Sequence, residues 1–451
     1  MSFDSPVFLV LLVVSMALVR LPAGGAGRAL LAASAVFYAF AGLGDWLLFA
    51  ALIVVNWTAS LWVERYRWVL PLTLALDVAV LGIFKYREML LPHVLTGGFA
   101  RVAIPLGISF YLFHIMSYLV DLRAGRFARV GLGKFALFVA FFPHLIAGPI
   151  VRAGQLMPQL ERLWKGRSVR HHLAVFGLAL CLLGLVKKIV FANSLAPVVD
   201  DLFVAVPTNT GVAWAGAWLF GFQIYFDFSG YSDLALGSAM LLGIRLPINF
   251  RTPYLAVGPR EFWQRWHISL STWIRDYLYI PLGGSRAGSF VHQAVILLGV
   301  MALAGLWHGA NWTFVVWGAL WGLYILLWRL GAPMLAHIPR VVLWGANMVV
   351  VMVLWVFFRA PDIDFALRYV AVMFTSGATG TPFDQPAIMV VAGLAVLTGL
   401  HWLESRTQNG RFLLALRRVE HPVWLSTMAG LCILLMLLPT YDINPFIYFR
   451  F

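Results

Sequence analysis

Ile296-Leu297-Leu298-Gly299-Val300-Met301-Ala302-Leu303-Ala304-Gly305-Leu306-Trp307-His308-Gly309-Ala310-Asn311-Trp312 runs through apolar residues into one histidine, and a second apolar run, 311–330, starts at its end. A helix needs about 20 such residues to cross the hydrocarbon of a bilayer. The runs are continuous rather than alternating, which favours helices over the strands of a closed barrel. Imidazole titrates near neutrality, and burying it at membrane depth is unfavourable unless it is solvated or hydrogen-bonded. His308 is therefore a functional-site candidate as well as a structural landmark.

Working outward, comparable runs recur at about 6–22, 29–41 with 46–63, 68–84, 134–150, 172–192, 212–226, 340–358, 386–403 and 423–438. They predict an all-α polytopic membrane protein with about ten to twelve transmembrane helices plus re-entrant or interfacial pieces. Composition agrees: 61% of the 451 residues are hydrophobic and 12% are charged, against about 25% charged in soluble domains. No soluble domain, fixed-period repeat or low-complexity tract interrupts the chain, so 1–451 reads as a single integral membrane domain.

The net charge of +14 is carried in short loops: Arg20 and Arg28, Arg65 and Arg67, Arg123 to Lys134, Arg162 to Arg170, Arg406 to Arg418. Loops with such an excess are usually cytoplasmic, which places the N-terminus and the tail after Leu438 outside. Attraction of an anionic donor or polymer is a secondary reading of the same charge. No basic run interleaved with aromatics supports nucleic acid as a partner; membrane lipid is the expected surrounding. Residues 1–22 lack the positive start of a cleaved signal peptide and read as a retained helix. Cys181 and Cys432 lie in apolar runs and read as inert core residues.

The longest semi-polar stretch, Tyr225 to Arg286, is too polar to face lipid and too aromatic for a free loop. Irregular backbone at membrane depth is tolerated only where protein or a water-filled cavity surrounds it, so this stretch is the expected lining of a central cavity. Gly258-Pro259-Arg260-Glu261 reads as a helix start, with proline in the first turn and a carboxylate favouring the dipole. On the helix predicted to follow, Phe262, Trp266, Leu270, Trp273 and Tyr277 form an apolar stripe. Arg260, Gln264, His267, Ser271 and Arg275 form a polar stripe beside it. The pattern suits a passage-lining helix, with an amphipathic helix on the membrane surface as the alternative.

Near His308, Gly305 and Gly309 would let a second helix approach closely, and Asn311 can reach the same side for an orienting hydrogen bond. The alternative is a buried histidine satisfied by a backbone carbonyl. His144, His267, His308 and His401 are scattered, and no metal-ligand spacing, phosphate-binding glycine loop or nucleophile elbow occurs. No metal and no bound cofactor are expected. Asp227 and Asp233 read as structural hydrogen-bonding groups, with a cation site as the alternative. Lys187-Lys188 reads as a pair reaching to the cytoplasmic surface, with binding of a carrier phosphate as the alternative.

Several motifs in order resemble one family: Pro105-Leu106-Gly107-Ile108-Ser109-Phe110-Tyr111, Phe142-Pro143-His144-Leu145-Ile146-Ala147-Gly148-Pro149-Ile150, and Tyr225-Phe226-Asp227-Phe228-Ser229-Gly230-Tyr231-Ser232-Asp233. They continue in Pro259 to Trp263, Arg265 to Trp273, Arg275 to Gly284, the Gly305–Trp312 element and Pro445-Phe446-Ile447-Tyr448-Phe449. Together, over about residues 100 to 451, they resemble the bacterial alginate-acetylating branch of the membrane-bound O-acyltransferases. His114 and His144 stand where that pattern leads us to expect other residues.

The resemblance implies a helical bundle around a central tunnel joining a cytoplasmic donor side to an external acceptor side. It implies His308 as the catalytic histidine and His267 as the second signature residue, positioning a thioester or stabilising an oxyanion. The expected lining is Asp227, Ser229 and Tyr231; Arg260, Glu261, Arg265, Trp266, Ser271, Trp273, Arg275, Asp276 and Tyr277; and Trp307, Asn311 and Trp312. The implied reaction moves an acyl group, acetyl by default, from acetyl-coenzyme A or an acyl carrier protein thioester for O-acetylation of an exported polysaccharide such as alginate or cellulose. A periplasmic acyltransferase and secretion proteins are the implied partners, and a bacterial inner membrane the implied location. Peptidoglycan O-acetylation and teichoic-acid D-alanylation are alternatives within the class. A transporter or flippase of a polymer or acylated carrier is the alternative outside it.

Overall fold

Every regular element among the described residues is helical. The computed structural model describes residues 1, 3–22, 25–90, 104–166, 172–375, 395–405 and 422–437. Among the described residues, six helices are long and apolar enough to cross a bilayer: Leu43–Ser60, Val69–Tyr86, Leu173–Leu202, Phe290–His308, Trp312–Leu330 and Arg340–Arg359. Pro6–Leu18, Gly25–Ala39 and Trp424–Leu437 are shorter apolar helices. The protein is thus a multi-pass, all-α membrane protein. Part of the 386–403 run, the Arg406–Arg418 loop and the Pro445–Phe449 motif lie outside the described residues.

Three expectations about elements need correction. The 134–150 run is not one span: the Leu132–Ala140 helix stops at Phe141 and a short Phe142–Leu145 turn follows, because Pro143 cannot continue the ladder of hydrogen bonds. The helix Ile108–Arg123, too rich in polar residues to stand out by hydropathy, is buried at every residue except Val120 and Arg123. The stretch from Tyr225 is not irregular at its start, since one helix runs through it from Thr210 to Leu241.

The chain forms two compact units. The first comprises Met1–Leu185, Tyr231–Ile248 and Leu416–Pro439; the second comprises Val186–Gly230, Asn249–Ala415 and Thr440–Phe451. In the first unit the Pro105–Tyr111 and Phe142–Ile150 motifs meet. Gly107 has φ 73°, and a Cβ there would lie 3.1 Å from the Leu145 carbonyl oxygen, so the position needs glycine twice over. Leu106 is tied down on both sides: its carbonyl accepts from Tyr38 Oη at 2.8 Å and its N–H donates to Asp45 at 3.1 Å.

His114 and His144 stack in this unit with ring centroids 4.3 Å apart and an interplanar angle of 18°. His114 Nε2 accepts the Val151 N–H at 3.0 Å. The two rings form a buried pair, and His114 ties down the segment that ends at Val151. Cys181 and Cys432 are free and buried. Cys181 packs on the helix crossing where Gly177 and Gly237 bring two backbones together, a structural role consistent with its apolar run.

The second unit is built on a helical hairpin. Phe290–His308 and Trp312–Leu330 are joined by only three residues and touch along their length. Gly305 and Gly318 make this possible. A Cβ on Gly305 would collide with the Phe314 carbonyl oxygen, and one on Gly318 with that of Met301. The small-residue contact expected at Gly305 is present; Gly309 lies beyond the helix, in extended backbone against the Phe314 ring.

Candidate active site

The site lies in the second unit, on the extended segment that starts at Asn249 and the helices that follow it. Pro259–Trp263 begins a helix where the sequence places one. Glu261 reaches back so that Oε2 accepts the Val257 N–H at 2.9 Å, while Oε1 pairs with Arg265 at 2.7 Å. The helix is not the long one that the stripes predicted. It ends after Trp263, the chain turns through Gln264–Trp266, and a second helix runs Ile268–Ile274 before a π-helical turn, Arg275–Tyr279.

The break is at His267, whose backbone is left-handed at φ 43°, ψ 53°. Among the described residues only Thr252, at φ 45°, shares this among non-glycines; each such residue costs on the order of 1–3 kcal/mol and persists only where its surroundings enforce it. Both positions flank one backbone pairing, with Arg251 N–H donating to Arg265 O at 2.9 Å and Ile268 N–H to Asn249 O at 3.0 Å. The turn carries the His267 side chain inward. It is fully buried, with Nδ1 3.2 Å from Asn249 Oδ1 and the Phe228 ring perpendicular to it at 4.6 Å. Burial pushes this imidazole down to about 3, so the ring is neutral near pH 7.

His308 closes the Phe290–His308 helix and is 3% exposed. Three aromatic rings stand nearly perpendicular around it: Trp307 at 5.0 Å, Trp317 at 5.2 Å and Phe358 at 5.3 Å. Trp307 also lies 5.9 Å from the His267 ring. One indole therefore touches both histidines. Behind it, Trp266 packs on Trp355 at 4.9 Å and stacks on Phe262, which stacks on Trp321 at 4.8 Å. This aromatic wall fixes the broken helix to the Trp312–Leu330 and Arg340–Arg359 helices, and both imidazoles are buried.

Other site candidates fall out differently. Asn311 does not orient His308: its Oδ1 caps the next helix by accepting the Thr313 N–H at 3.0 Å, and its Nδ2 donates to Pro361 O at 2.8 Å. The reason is that the helix ends at His308, so the three-residue spacing no longer shares a face. Arg260 is exposed and Trp312 is 57% exposed. Ser271 donates to the Trp266 carbonyl at 3.2 Å, Trp273 packs 5.2 Å from Tyr277, and Arg275 pairs with Asp276 at 2.7 Å. Ser229 is buried in the second unit, whereas Tyr231 belongs to the first, stacked on Phe3 at 4.5 Å.

The reading of the lysine pair also needs correction. Lys187 and Lys188 do not reach to a surface. Both are buried on a π-helical turn, Val186–Ala192, Lys188 bound to Asp227 and Lys187 to Glu404. Tyr225 Oη donates to the other oxygen of Glu404. Asp227 is thus the ion-pair partner of a buried lysine, which must be neutralised. Sequence reading missed Asn249, Trp317, Phe358 and Glu404 as neighbours of the site. Asn249, Phe358 and Glu404 lie far along the chain from the residues they meet, and Trp317 is brought back to His308 by the hairpin turn, so no local spacing signals them.

The chain matches the model of the membrane-bound O-acyltransferase family over residues 33–365. It is 41% identical to the "Probable alginate O-acetylase AlgI" of Azotobacter vinelandii, over 84% of this chain and 79% of that one. Identity to the protein of the same name in Pseudomonas aeruginosa is 40%, over 77% and 69% of the two chains. It is 34% over 75% and 72% for the "Peptidoglycan O-acetyltransferase" of Helicobacter pylori. The matched segment includes both histidines, the broken helix and the hairpin that encloses His308. With a membrane-helical fold, a family match over most of the chain and relatives of this kind, the protein is an O-acyltransferase and belongs to the membrane-bound O-acyltransferase family.

Proposed function

We propose that the enzyme transfers acetyl groups from a cytoplasmic thioester for O-acetylation of an exported polysaccharide, with alginate the first candidate. Identity near 40% to alginate O-acetylases over most of the chain supports the polymer class; the lower identity to a peptidoglycan O-acetyltransferase makes that polymer the second candidate. Acetyl-coenzyme A is the proposed donor, an acyl carrier protein thioester its alternative. The proposed setting is the bacterial inner membrane, with a periplasmic acyltransferase and the secretion apparatus as partners.

The observation that carries the reading is His308, buried at a helix end inside three aromatic rings, one of which also touches His267. In the proposed step His308 takes the proton of the acceptor hydroxyl as its oxygen attacks the acetyl carbonyl carbon; the C–S bond breaks and the thiol leaves with a proton. The C-terminal end of the Phe290–His308 helix favours the imidazolium as it forms. General base assistance of this kind contributes about 10²–10⁴-fold in rate. The test is the acetyl ester content of exported polysaccharide from cells carrying wild type, His308→Ala or His308→Asn at matched protein levels. Loss of esters with normal polymer secretion is expected. Full acetylation by His308→Ala refutes the mechanism, and normal esters with impaired secretion would point to transport.

A further inference from the structure

We infer that Asn249 is the positioning residue of His267, holding its ring with hydrogen on Nδ1 so that Nε2 is a buried acceptor for a substrate hydroxyl. The inference rests on the acyl-transfer reading for its substrate, but the ring assignment follows from hydrogen bonds alone.

Asn249 Oδ1 is 3.3 Å from the backbone N–H of Ser269, a group that can only donate. That contact settles the amide orientation: the atom facing Ser269 is oxygen, not the NH₂. The Ser269 hydroxyl donates to the same oxygen at 2.8 Å. His267 Nδ1 lies 3.2 Å from it as well. An oxygen that accepts everywhere requires a donor at Nδ1, so Nδ1 carries the hydrogen. In the neutral ring Nε2 is then a bare lone pair. Nε2 is buried and has no hydrogen-bond partner among the described residues, the expected state of an atom awaiting a ligand. The left-handed backbone at His267 gives the arrangement a purpose: it aims the ring at Asn249, and Ile268 N–H on Asn249 O locks the two segments together.

The consequence corrects the role that the motif implied. A neutral ring in this tautomer has no hydrogen to offer a developing oxyanion. It can accept one, from a second hydroxyl of the acceptor, and so orient the neighbouring hydroxyl that attacks, whose single proton goes to His308. No covalent bond to His267 forms or breaks.

Among the described residues, the charged or titratable groups near the ring belong to four places. Arg251 and Arg265 flank the backbone pairing, Asp227 beside Phe228 is bound to Lys188, and His308 adjoins Trp307.

Full-length protein in detergent with ¹⁵N-labelled histidine reports the tautomer directly, the His267 signals being identified by their loss in His267→Gln. Protonated Nδ1 and bare Nε2 are expected in the wild type and in Asn249→Asp, and a mixture of tautomers in Asn249→Leu. A wild type with hydrogen on Nε2 overturns the inference even if the enzyme acylates. Because this readout needs no turnover, an inactive wild type bearing Nδ1–H counts against the acyl-transfer reading instead. In the acetyl-coenzyme A assay, Asn249→Leu should lose about 10²-fold or more, the scale of one positioned proton-handling group. Asn249→Asp keeps every acceptor contact but adds a negative charge that favours imidazolium, so the acid limb of its pH–rate profile should move to higher pH. An unmoved profile would mean that Asn249 only braces Ser269, and would overturn the positioning role.

Discussion

Alanine in place of Gly305 tests whether the hairpin crossing sets the geometry around His308. The added Cβ would fall on the Phe314 carbonyl oxygen, with Phe314 C and Gly318 N both at 3.0 Å, where ordinary contact begins at 3.4 Å. All three are backbone atoms and cannot rotate aside, so the helices must separate by on the order of 1 Å. Overpacking of this kind typically costs about 1–3 kcal/mol, and in lipid the lost close packing has no hydrophobic term to replace it. The same movement shears the rings around His308, because Trp307 sits on one helix of the hairpin and Trp317 on the other. A misplacement near 1 Å at reacting groups costs about 10²-fold in rate.

The assay pairs thermal unfolding in detergent with acetyl transfer from acetyl-coenzyme A, and Gly299→Ala on the same helix is the control. A Cβ at Gly299 meets nothing within 4 Å, so that variant should keep its activity and lose no stability. Gly305→Ala should lower Tm and reduce transfer by about 10²-fold. Equal behaviour of the two variants, or full activity in Gly305→Ala, would refute the reasoning.

Three further perturbations follow from the buried polar groups. Lys188→Met leaves Asp227 buried without its cation and should destabilise by about 3–5 kcal/mol, while the double change Lys188→Met with Asp227→Leu should recover most of this; chemical unfolding of the three proteins checks it. In the first unit Asn56 Nδ2 donates to Asp77 at 3.0 Å between two spanning helices, and both side chains are fully buried. Asn56→Leu should lower Tm by an amount equivalent to about 0.6 kcal/mol or more, whereas Asp77→Asn, which keeps an oxygen acceptor, should be tolerated. His267 gives a pH effect of defined sign: burial depresses its folded value from 6.5 to about 3, so below pH 6.5 the unfolded chain binds a proton that the folded one does not. Stability is lost as pH falls through that window, by up to about 1.4 kcal/mol per unit, and His267→Gln should show a shallower loss between pH 6.5 and pH 5 than wild type.

Legibility in the sequence divided along physical lines. Hydropathy in long windows reads lipid-facing helices well, because a span must be apolar over most of its length; the helices around Leu43–Ser60, Phe290–His308 and Arg340–Arg359 were visible this way. It could not read Ile108–Arg123 or the polar half of Thr210–Leu241, since a helix wrapped in protein need not be apolar. The stripes on 259–277 failed for a related reason. Spacings of three and four place residues on one face only while the backbone stays α-helical, and one left-handed residue at His267 breaks the phase. The same limit removed Asn311 from His308 once the helix ended there.

That failure at His267 is itself informative about the chemistry. A left-handed histidine is unfavourable, and the chain had a simpler option in a continuous helix whose pattern was already in place. Continuing the helix would have left His267 on a polar face with Arg260, Gln264, Ser271 and Arg275, among charged and solvated neighbours. The break turns it instead into a dry enclosure of Phe228 and Trp307, against an amide oxygen that accepts two hydrogen bonds from Ser269. There the ring is held neutral and in one tautomer, which a face of mobile, hydrated side chains would not achieve. The strain at one residue and the unpartnered Nε2 have the same cause: both are the result of placing a lone pair, rather than a charge, near the histidine proposed to take the proton.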